Sequence, residues 1–583
     1  MTADELMAQR AIEREDDRPH VLISGRYMRD ITQDCFELLL SANGTDPRFF
    51  VLGDTVVHLV HHEKRPPAIR PLSTVAMKGM LDRLGNFVKL ERDVETPARP
   101  PNDVVADLLT LQGLQLPALY GVIQAPAYSG SGELVAAPGY QPSTGYFLHL
   151  GDGLTIPEIP RDPSLAEVGA ARQLLTEELL GDFPFVDDAD RAHAVSATIL
   201  PFIRKMIPGP TPLYFIESPT PGTGKGLLVD VLTIPAAALG PPVMSEGRDE
   251  DEWRKRLTAK LLQAPQFVLI DNIRSRLDSA ALSAALTTTV WEDRILGQSR
   301  TAAVPVTCVW LATANNPALS LEILRRTASI RIDAGTARPW ERTDFRHPNL
   351  RQWAKENRGE LIWAALTLVQ AWIAAGKPAG IAILGSYEDW AAVMGGILDV
   401  AGLPGFLGNA ERVYAQSDRE TDAWHEFCLA WWEEYGDSLV GSDLLFRLAT
   451  RQQLLVEVWG GRTEHGGRTR FGIALAKMRD RVFDGFRINR AAHDSHNKVE
   501  RYRLAALRGV RGVAGGFSDP DSPSTSQRDA KPALALIPAT SSDDSPGPDD
   551  RHERGPEKAP QPPARHRADP WEPFLQEVGD EGC

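Results

Sequence analysis

The residues most able to do chemistry in this chain lie in the stretch PTPGTGKGLL, positions 219 to 228. Gly222 and Gly224 can let backbone N–H groups wrap phosphate oxygens, and Lys225 offers a cation for the β- and γ-phosphates. The loop that would cradle a nucleotide is Pro221, Gly222, Thr223, Gly224, Lys225, Gly226 and Leu227. Two positions depart from the G-x-x-x-x-G-K-[ST] pattern: Pro219 stands for the first glycine, and Gly226 for the hydroxyl residue that ligates Mg²⁺. Asp271 closes the apolar run FVLI, where a carboxylate can hold Mg²⁺ through water. Asn272 follows it, and an amide can orient water but cannot take its proton. Asn315 and Asn316 end a third apolar run, CVWLATANN, which puts Asn315 where it could contact a γ-phosphate, and Arg325 and Arg326 follow. Glu217, Glu246 and Glu292 are the carboxylates that could stand in for a missing base.

These groups need a frame to bring them together. Residues 212 to 345 alternate short apolar strands, LYFIES, QFVLID and VTCVWLATA, with helical segments, which predicts an α/β core with a parallel sheet. Lys225 and Asp271 are 46 positions apart, and Asp271 and Asn315 are 44, enough in each case for a strand-helix crossover. Residues 1 to 164 mix short apolar runs with helical patterns and read as an α+β region; 165 to 206 read as a helical linker. The core is placed at 207 to 345 and a Trp- and Ala-rich helical lid at 346 to 435. A basic domain is placed at 436 to 508, and a tail rich in Pro, Ser, Asp and Gly at 509 to 583 is expected to be disordered.

Composition narrows the setting. Four cysteines without C-x-x-C spacing argue against a disulfide framework or a zinc knuckle, and no secretory signal is read at the start, so a cytoplasmic protein is expected. The run LIWAALTLVQAWIAAG at 361 to 376 is too short to cross a membrane and reads as a buried helix. In HLVHHEK, strand alternation would divide the histidines between two faces, which disfavours a metal there.

Together TPGTGKG, LIDN, LATANN and LRRTASIRID resemble the Walker A, Walker B, sensor 1 and arginine-finger motifs of AAA+ ATPases. The run from RILGQS to LATANN, with FRHPNLRQW and LGSYEDWAAVMGGIL, is similar to superfamily 3 helicase-like proteins of phages, plasmids and integrative elements. The resemblance spans about residues 205 to 410. It implies an ATP- and Mg²⁺-dependent homo-hexamer in which Arg325 or Arg326 completes a neighbour's site. It also implies a DNA-contacting hairpin before sensor 1, which makes Arg294 and Arg300 the candidates.

The net charge of −15 hides a local reversal: positions 461 to 512 hold 13 Lys+Arg against 5 Asp+Glu, and 513 to 583 hold 7 against 14. Helical spacing in RTRFGIALAKMRDRVF puts Phe471, Leu475, Met478 and Val482 on one face, with Lys477 and Arg481 on another and Arg470 nearby. GFRINR and KVERYRL then read as a hairpin that adds Lys498 and Arg501, so a winged helix that binds DNA is expected. The end of the tail, DPWEPFLQEV around 570 to 578, has the form of a peptide that folds onto a replication partner. The leading expectation is an oligomeric DNA helicase of mobile-element replication. Its rivals are a nucleotide-gated DNA-binding initiator or loader with little hydrolysis, and a regulatory or defence ATPase acting on a protein.

Overall fold

The computed structural model of the protein describes residues 18–62, 65–111, 113–294, 301–315, 319–460, 463–483, 485–491 and 500–507, with backbone alone for 416–421. Arg300, Asn316, Lys498 and the whole 509 to 583 tail lie outside them.

The apolar runs around the glycine-rich loop form strands because both of their faces are covered, so near-continuous burial replaces polar alternation. The strands are β1 (Leu213–Ser218), β2 (Val243–Met244), β3 (Phe267–Ile273), β4 (Val290–Arg294), β5 (Thr301–Pro305), β6 (Val309–Asn315) and β7 (Thr327–Arg331). Five of them make one all-parallel sheet in the order β2-β3-β6-β1-β7. β4 and β5 form a separate antiparallel hairpin.

Helices α1 (Asp188–Ile203), α2 (Lys225–Ala237), α3 (Glu250–Leu261) and α4 (Ala280–Thr287) accompany the sheet. α1 starts at a reciprocal cap: the Asp187 side chain accepts from the Asp190 N–H, and the Asp190 side chain accepts from the Asp187 N–H. α1, α2 and the long buried helix α5 (Arg358–Ala374) share one apolar cluster with Tyr214, Ile216, Leu269, Leu311 and Ile330 of the sheet. α5 is the apolar run judged too short for a membrane, and no helix among the described residues is long and apolar enough to cross one.

The described part of the N-terminal region is mixed α and β, with three-stranded sheets of 20–97 and 49–71. The second of these does not stand apart. Phe50, Leu52, Val57 and Leu59 pack in one cluster with Phe215, Trp310 and Val304.

Beyond α5 come α6 (Glu388–Val400) and α7 (Ala410–Tyr435). The last turns of α7 carry Trp424, Phe427 and Trp431 into a C-terminal core with Leu445, Phe471 and Leu504. That core is built from α8 (Ser442–Arg451), α9 (Glu464–Lys477) and a four-stranded antiparallel sheet. Its strands are β8 (Val440–Gly441), β9 (Val482–Phe483), β10 (Phe486–Arg490) and β11 (Arg501–Ala506), in the order β8-β11-β10-β9. One detail differs from the helical spacing: α9 ends at Lys477, so Val482 falls on a strand and is 45 % exposed, while Phe471, Leu475 and Met478 are buried.

Candidate active site

Ligands of open parallel sheets sit outside the carboxyl ends of the strands, where the chain changes direction across the sheet. Here that place is the end of β1, which lies between β6 and β7. The loop from Pro219 leads out of it and into α2, whose N-cap is Gly224. Gly222 (φ 82°) and Gly224 (φ 106°) both have left-handed backbones that a side chain would oppose. The first N–H groups of α2 are left without helical partners, which makes its start a place for an anion.

Lys225 opens α2, half-buried. Its Nζ donates to Ser218 Oγ (2.6 Å) at the end of β1 and to Asn315 Oδ1 (2.5 Å) at the end of β6. Ser218 and Asn315 are register partners. Burial lowers the lysine's pKa, and the nearby Asp271 carboxylate opposes the shift. On the far side of β6, Thr313 Oγ1 donates to Asp271 Oδ1 (2.5 Å) and accepts from the Asn272 N–H (2.8 Å). This bonding depends on a break in the β3–β6 register between Ile270 and Ile273, where Asn272 takes a left-handed φ of 57°. Lys225, Asp271 and Asn315 therefore come together at the carboxyl ends of three adjacent strands. Ser218 and Thr313 belong with them, although the sequence reading passed over both. The pleat could have singled out Thr313, which is two residues before Asn315 and so on the same face of β6.

The three candidate carboxylates are separated by their surroundings. Glu217 is buried and ion-paired to Arg331 Nη1 (3.1 Å) on β7. Glu292 is exposed on the β4–β5 hairpin. Glu246 follows the edge strand β2 at the carboxyl end of the sheet, where its Oε2 accepts from Ser275 Oγ (2.9 Å).

Arg325 and Arg326 are not brought to the loop. The Leu213 N–H donates to the Arg326 carbonyl (2.9 Å), so both arginines stand at the amino end of the sheet. Along β1 that is about 16 Å from Ser218, at ~3.3 Å per residue. Arg325 is exposed, whereas Arg326 is half-buried and paired to Glu322 (3.5 Å).

A buried polar network joins α1, β7 and the start of α7. Asp190 accepts from the Arg331 N–H (2.9 Å), from Asn409 Nδ2 (3.1 Å) and from Arg412 Nη2 (2.5 Å); burial raises its pKa, and the bonds from Arg412 and the Arg331 N–H offset only part of that rise. His193 is held neutral: Nδ1 donates to the Ser329 carbonyl (2.7 Å), Nε2 accepts from the Leu407 N–H (3.1 Å), and burial pushes its pKa down to about 4.

The candidate nucleic-acid groups are spread over two places. Arg294 ends β4, exposed. In the C-terminal domain, Lys477 is exposed at the end of α9 and Arg501 is exposed on β11. Arg470 is committed locally, donating to the Trp459 (2.8 Å) and Gly460 (2.6 Å) carbonyls, and Arg481 lies over Phe483. Arg487 was not picked out from the sequence; it is exposed on β10 between the buried Phe486 and Ile488.

No family model matches this chain, and no curated protein does. Among solved structures, the apo NrS-1 C-terminal region aligns over 80 % of this chain and 98 % of that one, at 11 % identity and a TM-score of 0.36. JCV helicase aligns over 44 % and 61 %, at 12 % identity and a TM-score of 0.21. Likenesses this low carry no argument about fold or function.

Proposed function

We propose that the chain is an AAA+-type ATPase that binds DNA and acts as an oligomeric helicase in mobile-element replication. The observation that carries the reading is the meeting of Lys225, Asp271 and Asn315 beside the glycine-opened start of α2. A cation, a carboxylate, a terminal amide and helix N–H groups at the carboxyl end of one sheet suit a Mg²⁺-nucleotide. Lys225 would exchange its bonds to Ser218 and Asn315 for phosphate oxygens, and Asp271 would hold Mg²⁺ through water. Mg²⁺, when bound, would neutralise charge on the β- and γ-phosphates. Asn315, freed of the lysine, would be available to the γ-phosphate.

The exposed Arg325 is the better of the two arginines to reach a neighbour's nucleotide, because Arg326 is paired within its own subunit. The C-terminal domain, with two helices followed by a β-hairpin, would serve as a winged helix on DNA.

A nucleotide-gated initiator or loader is the second reading, favoured by Asn272 and Gly226. The experiment is ATP turnover by the full chain with and without DNA, beside Lys225→Ala. Stimulated turnover that disappears in Lys225→Ala supports the helicase. Binding without turnover favours the loader. ATP binding unaffected by Lys225→Ala overturns both.

A further inference from the structure

Trp340 is 61 % exposed, the one exposed tryptophan among the described residues. Single exposed apolar side chains are ordinary on a protein surface, so what singles out this indole is its position. A Cβ placed on Gly222 would come within 2.9 Å of Trp340 Cε3 and 3.6 Å of its Cβ, so the indole lies directly against the phosphate-binding loop. Phe183 approaches the same loop at Gly224, at 3.6 Å by the same measure, but is itself buried.

The turn that presents the indole is anchored. Arg342 Nη2 donates to the Asp182 carbonyl (3.3 Å), and Glu178 is paired with Arg346 (2.5 Å) and His347 (3.0 Å). The indole is thus offered by a fixed segment at the rim of the loop, with most of its surface open.

We infer that Trp340 is a base-stacking wall for the nucleotide held by Gly222, Gly224 and Lys225. This rests on the nucleotide-binding reading given above. A nucleobase attached to phosphates seated in the loop needs a flat apolar partner close to the loop, and the indole supplies one. Stacking is tolerant of base identity, since every base has a π-face, so the wall would favour nucleoside phosphates over bare phosphates rather than adenine over guanine.

The test is calorimetric titration of the full chain with Mg²⁺ and either a non-hydrolysable ATP analogue or inorganic tripolyphosphate. Trp340→Ala should weaken the analogue about 5- to 100-fold and leave tripolyphosphate within about twofold, with Trp340→Phe recovering most of the loss. Equal weakening of both ligands would make Trp340 a support of the loop alone, and unchanged or tighter binding of the analogue would show that it does not stack; either overturns the proposal while the nucleotide site stands. A wild-type chain that binds neither ligand, or a Lys225→Ala chain that binds both as well as wild type, would remove the nucleotide site and the stacking wall with it.

Discussion

At the scale of single residues, the two departures from the phosphate-loop pattern have different physical characters. Gly226 is a chemical omission without a steric reason, since a Cβ there would meet nothing within 4 Å. Gly226→Ser should therefore fold normally, restore a hydroxyl ligand and lower the Mg²⁺ concentration needed for half-maximal ATP binding, read by titrating Mg²⁺ at fixed nucleotide. An unchanged Mg²⁺ requirement would mean that the hydroxyl does not reach the metal. Asn272 is tied to backbone shape, because its left-handed φ at the register break suits Asn far better than a longer side chain. Asn272→Glu should then cost about 1 to 2 kcal/mol of stability, while Asn272→Gly should be nearly neutral, as judged by urea unfolding. Equal stability of the Asn and Glu proteins would show that the bulge relaxes at no cost. With no carboxylate at position 272, base assistance, typically ~10² to 10⁴ in rate, is missing from this position, and turnover should be slow.

At the scale of elements, the network around α1 ties the sheet to the helix that leads into the C-terminal domain. His193 donates to β7 and accepts from Leu407, three residues before α7, so protonating it would break the second bond and charge a buried ring. Its pKa falls from an ordinary 6.5 to about 4 on folding, and the unfolded chain therefore binds more protons between those values. Stability is full above about pH 6.5 and is lost as pH falls towards 4, by roughly 3 kcal/mol from this group. His193→Gln, which cannot titrate, should be less stable than wild type at pH 7, with the gap in melting temperature narrowing as pH falls from 6.5 to 4; a constant gap would remove His193 as the cause. These elements were unequally legible in the sequence. LYFIES, QFVLID and VTCVWLATA announced their strands because burial on both faces demands apolar runs. The two-residue strand β2 is too short for any period, and the β4–β5 hairpin, which only the resemblance pointed to, buries just Trp291, Ala302 and Val304, too brief an alternation to stand out by itself. The sharing of a core between the N-terminal strands and the sheet depends on contacts between residues far apart in sequence, as in the packing of Phe50 and Leu52 near Trp310. Lys225, Asp271 and Asn315 were readable because loop glycines and strand-end polar residues keep a fixed order. Ser218 and Thr313 were passed over although strand end and pleat mark them, whereas Trp340 could not be read, because its place beside the loop is set by a turn more than a hundred residues downstream of it.

At the scale of the whole molecule, the question is how a site at one end of the sheet and basic groups elsewhere act together. Arg325 stands at the opposite end of the sheet from its own phosphate loop, so it can serve a nucleotide only on another copy. Arg325→Ala should bind ATP normally and fail to turn it over, and mixing it with Lys225→Ala should restore part of the activity at mixed interfaces; mixtures as inactive as the separate proteins, with assembly intact, would exclude a shared site. DNA binding calls for a subtler cut than removal of the C-terminal domain, because Trp424, Phe427 and Trp431 of α7 would be stripped of their partners in that core. Lys477, Arg487 and Arg501 are exposed at the end of α9 and on β10 and β11, and on the two strands their neighbours Phe486, Ile488, Tyr502 and Leu504 face inward, so these charges can be removed while the core stays filled. If each neutralises one phosphate, the triple alanine protein should bind duplex DNA more weakly, and the slope of log K against log[salt] should fall by about 2.7, at ~0.9 per phosphate contact. The fall should be the same for unrelated duplex sequences, since phosphate contacts carry no base information. An unchanged slope in a protein with wild-type melting temperature would place the DNA elsewhere, with Arg294 on the β4–β5 hairpin as the next group to neutralise.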